Sequence, residues 1–421
     1  MTDLCGTEIM ARLEQLAACS EDSTALTRTF LTPQHKAAAL LLQNWMEDAG
    51  MQAGFDPIGN MVGRYAGAAS ATTTGPEPVL LIGSHYDTVR NAGKYDGMYG
   101  IIAGIAAVKA LHQRGERLPF AIEIIGFADE EGVRFGSTLL GSRAVAGNFD
   151  LSLLDKTDAD GVSMRTALRD YGLDPGRIGM AAHDPDNVLA YVETHIEQGP
   201  VLLSENLPVG IVTAIAGATR FQIKISGQAG HAGTVPMALR RDAAVAAAEA
   251  LLFVEQRCQS VAPGVDSLVG TVGQLNVPAG AANVIPGCVE FSLDVRAGED
   301  AIRHSAVDDI LTEFKAIEQR RQVQFEINKT HDAPAVACAP WLMQQLESAI
   351  SRAGIPPRYL PSGAGHDAMA FSGFCDIAML FVRCGNGGIS HHPDEQLSTA
   401  DAVQGAALLL DFIRNFQPKD R

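Results

Sequence analysis

The hydrophobic pattern changes character along the chain, and no other feature restricts the fold as strongly. Toward both ends the apolar residues form short unbroken runs at 78–82, 121–128 and 377–382, with 188–192 as a further strand-like segment. Unbroken runs belong to strands covered on both faces, as in a parallel sheet. A helical stretch at 98–111 between the first two runs gives strand, helix, strand, the repeating unit of such sheets. Residues 34–50 have helical spacing with Gly50 as a C-cap, and 399–416 read as a closing amphipathic helix. The middle differs. Phe221, Ile223 and Ile225 alternate with Arg220, Gln222 and Lys224, and Val289, Phe291, Leu293 and Val295 with Glu290, Ser292, Asp294 and Arg296. Strict alternation leaves one wet face and predicts an antiparallel sheet, whose dry face helices near 236–256 and 300–319 would cover. The expected fold class is α/β. A mostly parallel-sheet domain, 1–212 and 333–421, carries an inserted α+β domain over 213–332.

Composition narrows the function. A chain of 421 residues exceeds what one core usually holds, and 47% apolar with 19% charged residues is globular. The 32 Lys and Arg against 49 Asp and Glu leave a net charge of −17 with no basic run, which argues against a nucleic-acid or anionic-membrane surface. No stretch approaches the roughly 18–20 apolar residues of a membrane span. The first residues, Met1 to Leu4, lack the basic start of a signal peptide, so a cytoplasmic protein is expected. The seven cysteines are scattered without a Cys-x-x-Cys pair, so a metal would be held by His and carboxylates.

Those groups follow the apolar runs. Residues 78–82 lead into His85-x-Asp87, 121–128 into Asp129-Glu130-Glu131, 188–192 into Glu193-x-His195, and 377–382 into Ser390-His391-His392-Pro393. In an open parallel sheet, ligands bind at the carboxyl ends of the strands, so four such segments would deliver their groups to one rim. Alternation at a strand end sets His85 and Asp87 on one side, where a carboxylate can fix the tautomer of a ligating imidazole; a turn histidine bonded to Asp87 is the plain alternative. Asp96 could cap the helix at Met98 or bridge two cations. Glu130-Glu131 could be a solvated acidic loop, or one ligand and one general base. His85, Asp96, Glu131, His195 and His391 form a nitrogen–oxygen set suited to zinc, or to manganese, cobalt or nickel. Two ions about 3.5–4 Å apart, bridged by Asp96 and water, would polarise a carbonyl and generate hydroxide near neutral pH.

Taken in order, the segments 83–89, 93–97, 129–135, 193–200, 230–237, 283–286, 363–367 and 388–393 resemble the dinuclear-metal amidohydrolases related to aminoacylases and carboxypeptidases. The closer resemblance is to their hydantoinase/carbamoylase branch: N-carbamoyl-L-amino-acid hydrolases, allantoate amidohydrolases and β-alanine synthases. It implies two divalent ions per subunit, one on His85, Asp96 and His195, the other on Asp96, Glu131 and His391. His391 is preferred over His392 because the Ser-His-x-Pro element uses the histidine after serine. Glu130 would be the general base, with Asp87 supporting His85 in the catalytic set. Glu193-x-His195 favours the carbamoyl branch. The resemblance makes 213–332 a lid and dimerisation domain, whose His231 would reach a neighbouring active site in a homodimer and stabilise the oxyanion. Asn283 and Arg296 would clamp the substrate carboxylate, although Arg296 could pair with Asp294 or Glu290 instead. Gln198 would contact the carbamoyl group, and Gly365 and His366 would line the substrate. The expected reaction is hydrolysis of a small N-carbamoyl-L-amino acid to L-amino acid, carbon dioxide and ammonia. Allantoate hydrolysis is the alternative, then N-acyl amino acid or dipeptide hydrolysis, then a non-catalytic small-molecule binding protein.

Overall fold

The computed structural model describes residues 4–68, 77–260 and 268–419. The chain divides into one unit built from Met1–Val212, Cys338–Tyr359 and His366–Arg421, and another from Thr213–Ala337 and Leu360–Gly365.

In the first unit the sheet order is Gln52–Phe55, Met61–Tyr65, Ala121–Phe127, Val79–His85, Val188–Ile196, Ile377–Val382 and the start of Val209–Ile215. The four central strands, Ala121–Phe127, Val79–His85, Val188–Ile196 and Ile377–Val382, are parallel to one another. The flanking ones are antiparallel. Val79–His85 and Ala121–Phe127 are buried at every position, which is why their sequences show no alternation. The helix Met98–Gln113 packs on this sheet and also against Gly6–Ala17 and Thr399–Asn415. It is buried on almost all sides, so its apolar residues do not form a stripe. Ile82 is wholly buried in the central strand. Ile82→Ala is expected to destabilise the fold by about 2–5 kcal/mol, read as a lowered urea midpoint with unchanged slope.

The strand predicted at 188–192 runs on to Ile196. Glu193 interrupts the apolar run, yet it is buried. Its carboxylate accepts hydrogen bonds from Ser84 Oγ at 2.9 Å, Tyr191 Oη at 3.1 Å and the Ala368 N–H at 3.0 Å, which offsets the cost of burying it.

In the second unit the sheet runs Leu275–Asn276, Cys288–Ala297, Gly217–Ser226 and Gln324–Ala333, all antiparallel, with Val269–Thr271 also paired to Cys288–Ala297. Phe291 faces Ile223 and Leu293 faces Phe221 in register, and the helices Ala243–Gln259 and Asp300–Arg321 cover this apolar face. The first of these helices does not begin at Pro236. Met237–Leu239 forms a separate 3-10 turn, and the helix starts after Asp242, whose carboxylate accepts the N–H groups of Ala244 and Val245. A side-chain cap six residues on outweighs the preference of proline for a first turn. No helix among the described residues is long and apolar enough to cross a membrane.

Candidate metal centre

Val79–His85 and Val188–Ile196 lie side by side in parallel with Ile82 opposite Val192, so the same register carried three residues further sets His85 beside His195. The two imidazoles stack with centroids 5.9 Å apart. His85 Nδ1 lies 3.1 Å from the Asp87 carbonyl oxygen, and His195 Nδ1 lies 2.8 Å from that of Ile196. A carbonyl only accepts, so each ring donates from Nδ1 and presents the lone pair of Nε2. Both Nε2 atoms face Asp96 Oδ1, at 3.6 Å from His85 and 3.2 Å from His195.

Asp96 does not cap the helix that follows it. The N-cap is Gly97, with no side-chain bond. Gly97 has φ +73°, and a Cβ there would fall 2.6 Å from the His85 ring, so only glycine lets the turn press against the imidazole. The Asp96 carboxylate is thereby turned into the cluster. Its Oδ2 lies 3.0 Å from His391 Nε2, which in turn lies 3.6 Å from Glu131 Oε1. Two groups of candidate ligand atoms result, each within 4.8 Å of one another: His85, Asp96 and His195, and Asp96, Glu131 and His391. A third joins His85, Glu130 and Glu131, and a fourth Glu193, His195 and His366. His392 turns away, its Nδ1 accepting the Asp394 N–H at 3.2 Å.

Asp87 does more than face His85. Its two carboxylate oxygens accept the backbone N–H groups of Glu130 at 3.0 Å and Glu131 at 3.2 Å. One buried carboxylate thus fixes the turn that presents both glutamates, while its own main chain orients His85.

The electrostatics suit a pair of divalent cations. Burial opposes the charge of Asp96, yet the imidazoles of His195, His391 and His85 around it outweigh burial and hold the carboxyl well below its ordinary range. Burial and then Glu131 drive Glu130 well above its ordinary range. Burial and then Asp96 bring Glu131 to about 7. Carboxylates crowded this closely repel one another, and the candidate ligand atoms are all imidazole nitrogen and carboxylate oxygen. Divalent ions match both features.

The other expected site residues fall into two sets. Gln198 and His366 belong to the first unit. Gln198 Nε2 donates to Asp96 Oδ2 and Ser390 Oγ, each at 3.1 Å, so its amide is held beside the cluster. His366 is buried with its ring edge-on to His195 at 4.5 Å, and burial above all pushes its pKa well down. His231, Asn283, Arg296 and Gly365 belong to the second unit. His231 is exposed, and its strand pairs with Val284–Ile285, next to Asn283. Arg296 grips Asp294 with Nε at 3.1 Å and Nη2 at 2.9 Å, and Nη1 donates to the Gly363 carbonyl at 2.7 Å. The pairing with Asp294 that the sequence left open is therefore made. It uses three of the five guanidinium N–H groups and leaves one on each terminal nitrogen. Sequence reasoning missed Glu395, which is buried against the Asp96 turn. In sequence it follows Asp394 in a polar loop and carries no signal of burial.

The model of peptidase family M20/M25/M40 matches residues 81–415. An allantoate deiminase of Arabidopsis thaliana is 41% identical, covering 97% of this chain and 82% of that one. An N-carbamoyl-L-amino acid amidohydrolase of Geobacillus stearothermophilus is 39% identical, covering 96% and 97%. The crystal structure of a hydantoinase/carbamoylase family amidase from Burkholderia multivorans superimposes with a TM-score of 0.90 at 30% identity, covering 99% of each chain.

Proposed function

The chain belongs to peptidase family M20/M25/M40 and to its hydantoinase/carbamoylase branch, and from that premise we propose that it is a metal-dependent hydrolase of the C–N bond in the N-carbamoyl group of a small ureido acid. The preferred substrate class is N-carbamoyl-L-amino acids, giving L-amino acid, carbon dioxide and ammonia. The observation that carries this reading is the sharing of Asp96 between two buried ligand groups with Glu130 at their edge.

His85, Asp96 and His195 would hold one divalent ion and Asp96, Glu131 and His391 the other, zinc being the first choice and manganese, cobalt or nickel the others. When bound, the ions supply Lewis-acid polarisation of the carbamoyl oxygen and make the attacking water more acidic. Glu130, its backbone fixed by Asp87, takes a proton from that water and hands it to the departing nitrogen. Water oxygen bonds to the carbamoyl carbon, the C–N bond breaks, ammonia leaves, and the remaining carbamate loses carbon dioxide. Arg296, its guanidinium already ordered by Asp294 and Gly363, would receive the substrate carboxylate through its two remaining terminal N–H groups, with Asn283 as the second arm of the clamp. His231 would act on the oxyanion of a neighbouring subunit in a homodimer. Seven free cysteines fit a reducing cytoplasm.

A second reading, allantoate hydrolysis, is favoured by the relatives named allantoate deiminase at 40–41% identity. Ammonia release from N-carbamoyl-L-amino acids, N-carbamoyl-β-alanine and allantoate, with chelator-treated enzyme reloaded with each metal, tests both. The expected result is the highest kcat/KM on an N-carbamoyl-L-amino acid and no turnover before metal is restored. Preference for allantoate moves the assignment to the second reading, and no ammonia from any of them overturns both.

A further inference from the structure

Asp96 and His391 face each other across the cluster, but 294 residues of chain separate them and His391 sits on a loop, half-exposed, with φ +54°. Something must fix their spacing. Glu395 is only 4% exposed and touches both loops. One carboxylate oxygen accepts the N–H groups of Tyr95 at 2.8 Å and Asp96 at 3.2 Å, and the other accepts the Ser390 hydroxyl at 2.6 Å. The Glu395 N–H donates to the His392 carbonyl at 3.0 Å, closing the turn after His391. The carboxylate fits only because position 93 is glycine; a Cβ on Gly93 would collide with it. Gln198 completes a ring by donating to both Ser390 Oγ and Asp96 Oδ2. Burying a carboxylate is costly unless its oxygens are satisfied, and here the three donors come from the two turns that carry candidate ligands.

We propose that Glu395 is a positioning residue that fixes the Asp96 turn against the Ser390–His391 turn and so sets the affinity of both metal positions. This rests on the metal reading of the cluster. Residues that hold a ligand in place from behind typically change metal affinity by about 10–100-fold when lost.

The test is calorimetric titration of manganese or zinc into chelator-treated protein. Wild type is expected to take up two ions per chain. Glu395→Ala should weaken both ions by about 10–100-fold. Glu395→Gln keeps an oxygen for the Tyr95 and Asp96 N–H groups and should recover most of the loss. Ser390→Ala removes the hydroxyl that ties Glu395 to the His391 turn and leaves the arm to the Tyr95 and Asp96 N–H groups, so it should weaken the ion on His391 more than the other. Unchanged affinities in Glu395→Ala, or weakening of one ion alone, overturn the proposal. Should Glu395→Ala fail to fold, Ser390→Ala decides, and wild-type affinity for both ions there overturns it. A wild-type chain that takes up no ion overturns the metal reading instead, so the two failures are distinguishable.

Discussion

Glu130→Gln is expected to keep its metal and lose about 10²–10⁴-fold in kcat, the range that a positioned general base contributes. The geometry separates Glu130 from the ligand pairs that share Asp96. Its N–H is fixed by Asp87 Oδ1 and its carbonyl accepts the Leu139 N–H at 3.1 Å, so the turn survives the substitution. Glutamine keeps the shape and one acceptor oxygen but cannot take a proton at neutral pH. The measurement is kcat at saturating substrate together with metal content per chain. Retained turnover rejects Glu130 as the base. Loss of metal makes it a ligand, and the third group with His85 and Glu131 then becomes the relevant one.

Asp96→Ala is expected to remove both ions and with them all measurable turnover. Asp96 receives His85 and His195 on one oxygen and His391 on the other. No other residue belongs to both groups that would hold the pair. Its loss should exceed the roughly 10–100-fold cost of losing an outer partner. Stability gives an independent readout. Ligand present at 100 times its Kd stabilises a native protein by about 2.7 kcal/mol, so added metal should raise the melting temperature of wild type and leave that of Asp96→Ala unmoved. A wild-type thermal shift in the variant would show that the ions sit elsewhere.

Sequence pattern located the four parallel strands of the first unit, the strands Gly217–Ser226 and Cys288–Ala297 of the second and five of the longer helices, because burial on two faces or one is written directly into apolar spacing; it did not locate Gln52–Phe55, Met61–Tyr65, Val209–Ile215, Gln324–Ala333 or the helices Gly6–Ala17 and Pro340–Arg352. Ile377–Val382 is bounded as expected, and Met98–Gln113 extends two residues past its expected end. Pattern failed where polar groups are satisfied by distant partners. The end of Val188–Ile196 was hidden because Glu193 looks like a break until Ser84, Tyr191 and Ala368 are brought to it. The helix expected to begin near 236 starts at Ala243, because the Asp242 side chain, which the apolar spacing does not register, caps it there. Residues 360–365, expected in the larger domain, group with the second unit, where the Gly363 carbonyl meets Arg296. Candidate ligands were legible because His, Asp and Glu after strands are few and spatially predictable. Glu395 was not, because its donors lie about 300 positions away and nothing local distinguishes it from a solvated acid.

The first unit is assembled from pieces of chain on either side of the second, and this has a consequence for biosynthesis. His85, Asp96 and His195 all leave the ribosome before the inserted segment, whereas His391 and Glu395 follow it. If the proposed ligands are the right ones, a nascent polypeptide acquires three donors for one cation before the inserted segment is made and completes the pair only after His391 has emerged. On the proposed ligand assignment, loading of the second ion waits until the segment that carries His391 has been synthesised.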